Sequence, residues 1–197
     1  MRPVTLLVYA KPPRMGLAKT RLAKGLGPAP ARRIAGFTLA RTLQAARASG
    51  CAVTIYVAPD RAVRAPAGFG GLRLAPQGPG GLTERLGRGL REAPPGPVMF
   101  IGADAPDLTV GHLRRAAAML RRHDAVFGPA RDGGFWLFGL HKRPGQTPPF
   151  DGVRWSGPYA LADVRRRLPD GARVGLLEEL IDIDEAADWR DWTRRKG

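Results

Sequence analysis

Three apolar runs, residues 4–10, 53–58 and 98–101, are continuous rather than alternating. A strand with one wet face alternates apolar and polar side chains. A strand covered by helices on both faces has no such alternation. Between the first two runs, residues 28–49 carry Ala35, Leu39, Leu43 and Ala46 at i, i+4, i+8 and i+11, a helical stripe that Gly50 ends. Strands 72–75, 125–127, 135–140 and 172–177 and helices 82–91, 158–168 and 184–194 are expected further along. A helix capped by Thr109 carries Leu113, Ala116, Ala117 and Leu120 on one face. The alternation predicts one α/β domain over residues 1–197, a three-layer α/β/α arrangement around a mostly parallel sheet. Ligands in such sheets sit beyond the carboxyl ends of the strands, so chemistry is expected in the loops after Ala10, Ala58, Ala75 and Ile101.

Composition narrows the class. Apolar residues are 44% of the chain, which points to a folded core rather than disorder. Cys51 is the only cysteine, so no intrachain disulfide forms. A reducing, cytoplasmic location is the expectation, with Cys51 a small core residue. No segment approaches the ~20 apolar residues of a membrane span. The first residues read as a strand rather than a signal peptide. The net charge of +15 suggests nucleic acid at first. Only five of the 32 basic residues are lysines, however, and the arginines lie scattered on expected helices in a chain rich in Ala, Gly and Pro. With aromatic residues at 7%, stacking platforms for bases are scarce, and the charge is read as favouring small anionic ligands. Neither a nucleic acid nor a membrane is expected as partner.

Four segments carry chemistry. The loop after the first strand holds Lys11, Arg14, Lys19, Arg21 and Lys24 with Gly16 among them. Cations there neutralise phosphate oxygens, and glycine permits close backbone approach. It is neither a P-loop nor a G-x-G-x-x-G loop. Asp104 stands at the tip of the strand ending at Ile101, and Asp107 follows just before the Thr109 helix. A carboxylate at a strand tip suits magnesium, which needs one or two carboxylates and takes its other ligands from phosphate and water. Asp132, Gly133 and Gly134 form a turn where a substrate could approach the backbone. Asp182 or Asp184 could complete a metal site with Asp104, although Asp184 also reads as a helix N-cap. His112, His123 and His141 are isolated and expected at the surface. Phe135, Trp136 and Trp155 are candidates either for an acceptor pocket or for core packing.

The stretches AKPPRMGLAKTRL, IGADAPDL, GPARDGGFWLFGL and DIDEAADW, in this order, resemble small bacterial proteins of the glycosyltransferase-A-like fold, often labelled transferases associated with radical-SAM proteins. The layout is also similar to phospholactate guanylyltransferase and the molybdenum-cofactor nucleotidyltransferases. The resemblance implies a Rossmann-like nucleotide-diphospho-sugar transferase fold. It implies that Lys11, Gly16, Lys19 and Arg21 wrap nucleotide phosphates, and that Asp104 binds magnesium or manganese. Asp182 or Asp184 would supply the second carboxylate. Lys19, Arg21 and Asp104 are then the expected catalytic groups. The favoured reaction is nucleotidyl transfer from a nucleoside triphosphate to a phosphorylated small acceptor, since the chemistry needs alignment and charge neutralisation. Glycosyl transfer from a nucleotide-diphosphate sugar and non-catalytic nucleotide binding are the alternatives.

Overall fold

The computed structural model describes residues 3–64 and 68–196. The strands are β1 (Thr5–Ala10), β2 (Ala52–Val57), β3 (Arg73–Pro76), β4 (Gly96–Ile101), β5 (Ala125–Pro129), β6 (Phe135–Lys142) and β7 (Val174–Leu176). The helices are α1 (Thr20–Leu26), α2 (Pro28–Ala48), α3 (Leu82–Glu92), α4 (Val110–Met119), α5 (Ala160–Arg166) and α6 (Ala186–Arg194). The seven strands form one sheet in the order β3-β2-β1-β4-β6-β5-β7. β1 runs parallel to both β2 and β4, and β6 is antiparallel to β4 and β5. The expected three-layer, mostly parallel α/β arrangement is therefore present.

Successive side chains of each strand feed opposite layers. Leu6, Val8, Ile55, Val57, Met99 and Ile101 pack with Leu39 and Leu43 of α2 and Leu113 of α4. Leu7, Tyr56, Val98, Phe100, Phe127 and Phe138 pack on the other face with Leu86 and Leu90 of α3 and Val164 of α5. Two dry faces are why the sequence runs are continuous.

A third cluster positions the site. Leu22, Ala31, Ile34, Ile181 and Ile183 are buried together at one edge, with Trp189 and Trp192 against them. Burying a Leu or Ile side chain contributes about 1.5–3 kcal/mol, so this cluster clamps the segment before α6 beneath α1. The Ile183 N–H also donates to the Asp104 carbonyl at 3.0 Å. Residues 182–184 are thereby held beside the tip of β4.

Several expectations need correction. Helix α1 falls where the sequence reads as loop: its N-cap, Lys19, makes no side-chain cap bond, and its first turn lacks an acid. The usual start signals are absent, and packing of Leu22 forms the helix instead. The α6 cap belongs to Glu185, with Asp188 Oδ2 accepting from the Asp184 and Glu185 amides at 3.0 and 2.7 Å. This frees the Asp184 carboxylate for the site. His112 is buried rather than superficial. Its Nδ1 accepts from the Thr109 amide at 3.1 Å, closing the α4 cap, and its Nε2 lies 2.9 Å from Glu178 Oε1. Cys51 is only partly buried and packs at the edge of the first layer. Among the described residues no helix is long and apolar enough to cross a membrane.

Candidate active site

The carboxyl ends of β1 and β4 lie side by side at the centre of the sheet, where the strand order reverses. The chain leaving β1 passes Gly16 at φ 74° and reaches Lys19 in the left-handed region at φ 55°. Such a conformation is costly for a residue with a side chain and persists only where surroundings enforce it. Here it turns the lysine inward. Lys19 Nζ sits 2.5 Å from Asp104 Oδ1 and 3.1 Å from Asp184 Oδ1, and its side chain is 6% exposed. Burial pulls the ammonium pKa down, but the Asp104 and Asp184 charges outweigh it and hold it above its ordinary value. Arg21, two residues later, grips Asp184 Oδ2 at 2.5 Å and stands 3.8 Å from Glu185.

Asp182 completes the cluster without joining the ion pairs. It makes no hydrogen bond or ion pair among the described residues. Burial, then the Asp104 and Asp184 charges, push its carboxyl pKa up to about 8. Asp104, Asp182 and Asp184 lie in one cluster, with Lys19 between Asp104 and Asp184. Among the described residues, no group of three His, Cys, Asp or Glu side chains is placed to hold a metal ion. The donor set still fits a hard cation that keeps phosphate and water ligands. Asp104 and Asp182 offer the two carboxylates such an ion needs, once Asp182 gives up its proton.

Two cavities meet at this cluster. The wider, about 430 Å³, is lined by Lys11, Lys19, Thr20 and Arg21, by Ala35 and Leu39 of α2, and by Gln77 and Arg85. Gln77 is fully engaged: its amide donates to the Tyr56 and Ala10 carbonyls, and its Oε1 accepts from Arg85 NH1 at 3.3 Å. The Arg85 Nε–H is buried without a partner, a donor left for a ligand. The second cavity, about 270 Å³, is walled by Phe100, Phe135, Trp136, Trp155 and Leu86, with Asp104, Asp132 and Asp182 among its polar groups. Tyr9, Leu82, Asp104 and Ser156 line both. Ser156, at φ 61°, is with Lys19 one of two non-glycine residues at positive φ among those described.

The aromatic cavity depends on the loop before α5. Trp155 Nε1 donates to Thr83 Oγ1 at 2.8 Å, and Thr83 donates to the Phe150 carbonyl at 3.1 Å. Asp163 accepts from the Arg154 amide, Nε and NH2 at 3.1, 2.8 and 2.8 Å. These bonds hold the Asp163 carboxyl pKa well below the usual carboxylate range.

Of the expected site residues, Lys11, Lys19, Arg21, Asp104, Asp182 and Asp184 line the cavities, as do Asp132 and Gly134. Gly16 is a turn residue outside the cavity walls. Gly133 serves packing: a Cβ there would lie 2.5 Å from the Pro158 backbone. Asp107 ties down α6, accepting from Trp192 Nε1 at 2.9 Å. Sequence reasoning missed Tyr9, Gln77, Leu82, Arg85 and Ser156. Only the Gly/Pro-rich stretch 78–81 before α3 hinted that Gln77, Leu82 and Arg85 flank a ligand loop.

The family described as "Uncharacterized protein conserved in bacteria (DUF2064)" matches residues 39–157. The chain belongs to this bacterial family. None of the curated proteins compared is similar to it in sequence. Among solved structures it is similar to a provisionally named nucleotide-diphospho-sugar transferase from Desulfovibrio desulfuricans G20, with 27% identity and a TM-score of 0.88 over 100% of this chain and 88% of that one. It is also similar in fold to Rv0371c from Mycobacterium tuberculosis H37Rv in complex with manganese, with 19% identity and a TM-score of 0.57 over 96% and 97% of the two chains. A nucleotidyl transferase from Methanothermobacter aligns over 100% of both chains with 16% identity and a TM-score of 0.60. The fold is that of the nucleotide-diphospho-sugar transferases.

Proposed function

We propose that this chain is a metal-dependent nucleotide-using transferase, and that it carries out nucleotidyl transfer from a nucleoside triphosphate to a small acceptor. The observation that carries the reading is the pair of cavities meeting at Asp104, one lined by cations and the other by aromatic rings. A triphosphate in the wider cavity meets Lys11, Lys19 and Arg21, and Arg85 lines the same space. Lys19 is held by two carboxylates, so its ammonium is fixed before substrate arrives and needs no reorganisation as charge develops. An acceptor in the aromatic cavity approaches the α-phosphorus across Asp104. Its oxygen forms the new bond to phosphorus, and the bond to pyrophosphate breaks.

Asp104 and Asp182 would hold magnesium or manganese, with Asp184 engaged by Lys19 and Arg21. Such an ion, when bound, neutralises charge on the phosphate oxygens. The manganese complex of the Mycobacterium tuberculosis structure and the nucleotidyl transfer named for the Methanothermobacter protein support this reading by analogy of fold.

Glycosyl transfer from a nucleotide-diphosphate sugar is the second reading, and a specific observation favours it. A phosphorylated acceptor would want a free cation in the aromatic cavity. No lysine or arginine lines that cavity among the described residues. The guanidiniums of Arg21 and Arg131, in the adjoining acidic cleft, are paired with Asp184 and Asp191 at 2.5 and 3.2 Å.

A thermal-shift panel of nucleoside triphosphates and nucleotide sugars, each with and without magnesium or manganese, separates the readings, because ligand binding to the native state raises apparent stability. A metal-dependent shift with a triphosphate, followed by pyrophosphate release, supports nucleotidyl transfer. A shift confined to nucleotide sugars transfers the assignment to glycosyl transfer. Nucleotide binding that Asp104→Asn leaves without any effect on turnover would overturn the catalytic role of this site.

A further inference from the structure

The aromatic cavity places a constraint on the acceptor. Its rings are few but well held: Phe135 meets Trp155 edge-on at 6.1 Å, Trp155 is anchored on Thr83, and the Trp136 indole N–H donates to the Glu178 carbonyl at 3.1 Å. At about 270 Å³ the space accommodates one ring-sized body. Among the described residues no lysine or arginine lines it, in a chain with 32 basic residues. Its ionisable acids are the three carboxylates Asp104, Asp132 and Asp182. Asp132 already accepts the Gly134 amide at 2.9 Å, and Asp104 is engaged by Lys19. Asp182 has no partner among the described residues, so its oxygens are free to accept from a ligand hydroxyl.

From this we infer that the aromatic cavity takes an uncharged, hydroxyl-bearing ring compound, and that it rejects phosphorylated or carboxylated ones. The inference rests on the transferase reading for its role as the acceptor site, and it holds whether phosphorus or sugar is transferred. Apolar ring faces lie against Phe135 and Trp155 and exclude water. Hydroxyls meet carboxylates, with the O–H groups donating. In the metal-free chain an anionic group in the same place meets carboxylates, with no lysine or arginine on the cavity wall among the described residues, which is the repulsive element that specificity requires.

The test uses the full chain stripped of divalent metal with EDTA and two probes sharing one ring: benzyl alcohol and benzyl phosphate. Binding is followed by indole fluorescence and by ligand-observed NMR. Benzyl alcohol is expected to bind, with benzyl phosphate weaker by at least ~10-fold, a difference of about 1.4 kcal/mol. Leu82→Lys places a cation at the half-exposed mouth shared by both cavities. It is expected to raise benzyl phosphate binding relative to that of benzyl alcohol by at least ~10-fold. Trp155→Phe is expected to weaken the alcohol several-fold. Benzyl phosphate binding to the parent chain as tightly as the alcohol would overturn the inference, as would no binding of the alcohol. These outcomes do not depend on turnover. Failure of the nucleotide panel alone removes the transferase reading but leaves the ligand class of this cavity standing.

Discussion

The two cavities that meet at Asp104 are built in opposite ways. Apart from Arg85, the wider one takes its cations from a single stretch, Lys11 to Arg21, that leaves β1 and turns into α1. The aromatic one is assembled from β4, the 132–136 turn, the N-terminus of α3 and the loop before α5, segments scattered across the sequence. The charged side is held mainly by ion pairs, Lys19 to Asp104 and Asp184 and Arg21 to Asp184. The aromatic side is held by burial of rings and by hydrogen bonds that fix a loop, Asp163 to Arg154 and Trp155 to Thr83. The two cavities can therefore be disrupted independently.

The largest separation is expected from Lys19→Met. Losing a preorganised charge that faces developing charge costs on the order of 10²–10³ in turnover. The variant should also lose the nucleotide thermal shift, while benzyl alcohol binding in the aromatic cavity persists. Loss of both together would show that the two sides are not separable.

Asp182 sharpens the comparison through pH. Its carboxyl titrates up to about 8 in the folded chain and near its ordinary ~3.9 when unfolded. Between those values the folded state binds the extra proton, so this residue's contribution to stability declines as pH rises through the window and levels off above it. In metal-free protein, Asp182→Asn should flatten the stability profile across that range and be more stable than the parent above pH 8. Manganese binds only the ionised carboxylate, so its stabilising shift in the parent should grow with pH. Parallel profiles for parent and variant in a chemical-denaturation series would remove Asp182 from the coupled cluster.

Gly128→Ala attacks the aromatic side alone. A Cβ at Gly128 would lie 2.2 Å from the Trp136 ring. Overpacking of this kind costs about 1–3 kcal/mol, and the tilted indole should weaken ring binding with nucleotide binding intact. Asp163→Asn should have the smallest effect. It keeps the side-chain shape but removes the charge that Arg154 and Arg166 meet at 2.8 and 3.3 Å. Acceptor KM should rise several-fold with little change in nucleotide affinity, and the loop amides near Trp155 should exchange faster with solvent.

Much of the charged side was legible in the sequence, because Lys11, Lys19 and Arg21 follow one apolar run and Asp104 ends another. Local order alone places such residues at strand tips. Helix α1 was not legible, since its stability comes from Leu22 packing on Ile34 and Ile183 rather than from caps or charges at its own ends. Nor was Arg85. It reaches the wider cavity only because β3 lies beside β2 and returns α3 across the sheet face. The aromatic residues were visible as a pattern, but nothing in their spacing separates rings that line a cavity from rings that fill a core.

The sequence by itself determined the class of fold and the chemistry of the strand tips, because the pattern of apolar runs dictates which faces must be buried. Only the tertiary structure decided which C-terminal aspartate faces the lysine and which stands unpaired. Asp182 and Asp184 are two residues apart on an extended segment and have the same intrinsic chemistry. Their roles diverge because the Ile183 amide is bonded to the Asp104 carbonyl while its side chain is buried beside Leu22. That clamp brings Asp184 to Lys19 and Arg21 and leaves Asp182 lining the aromatic cavity.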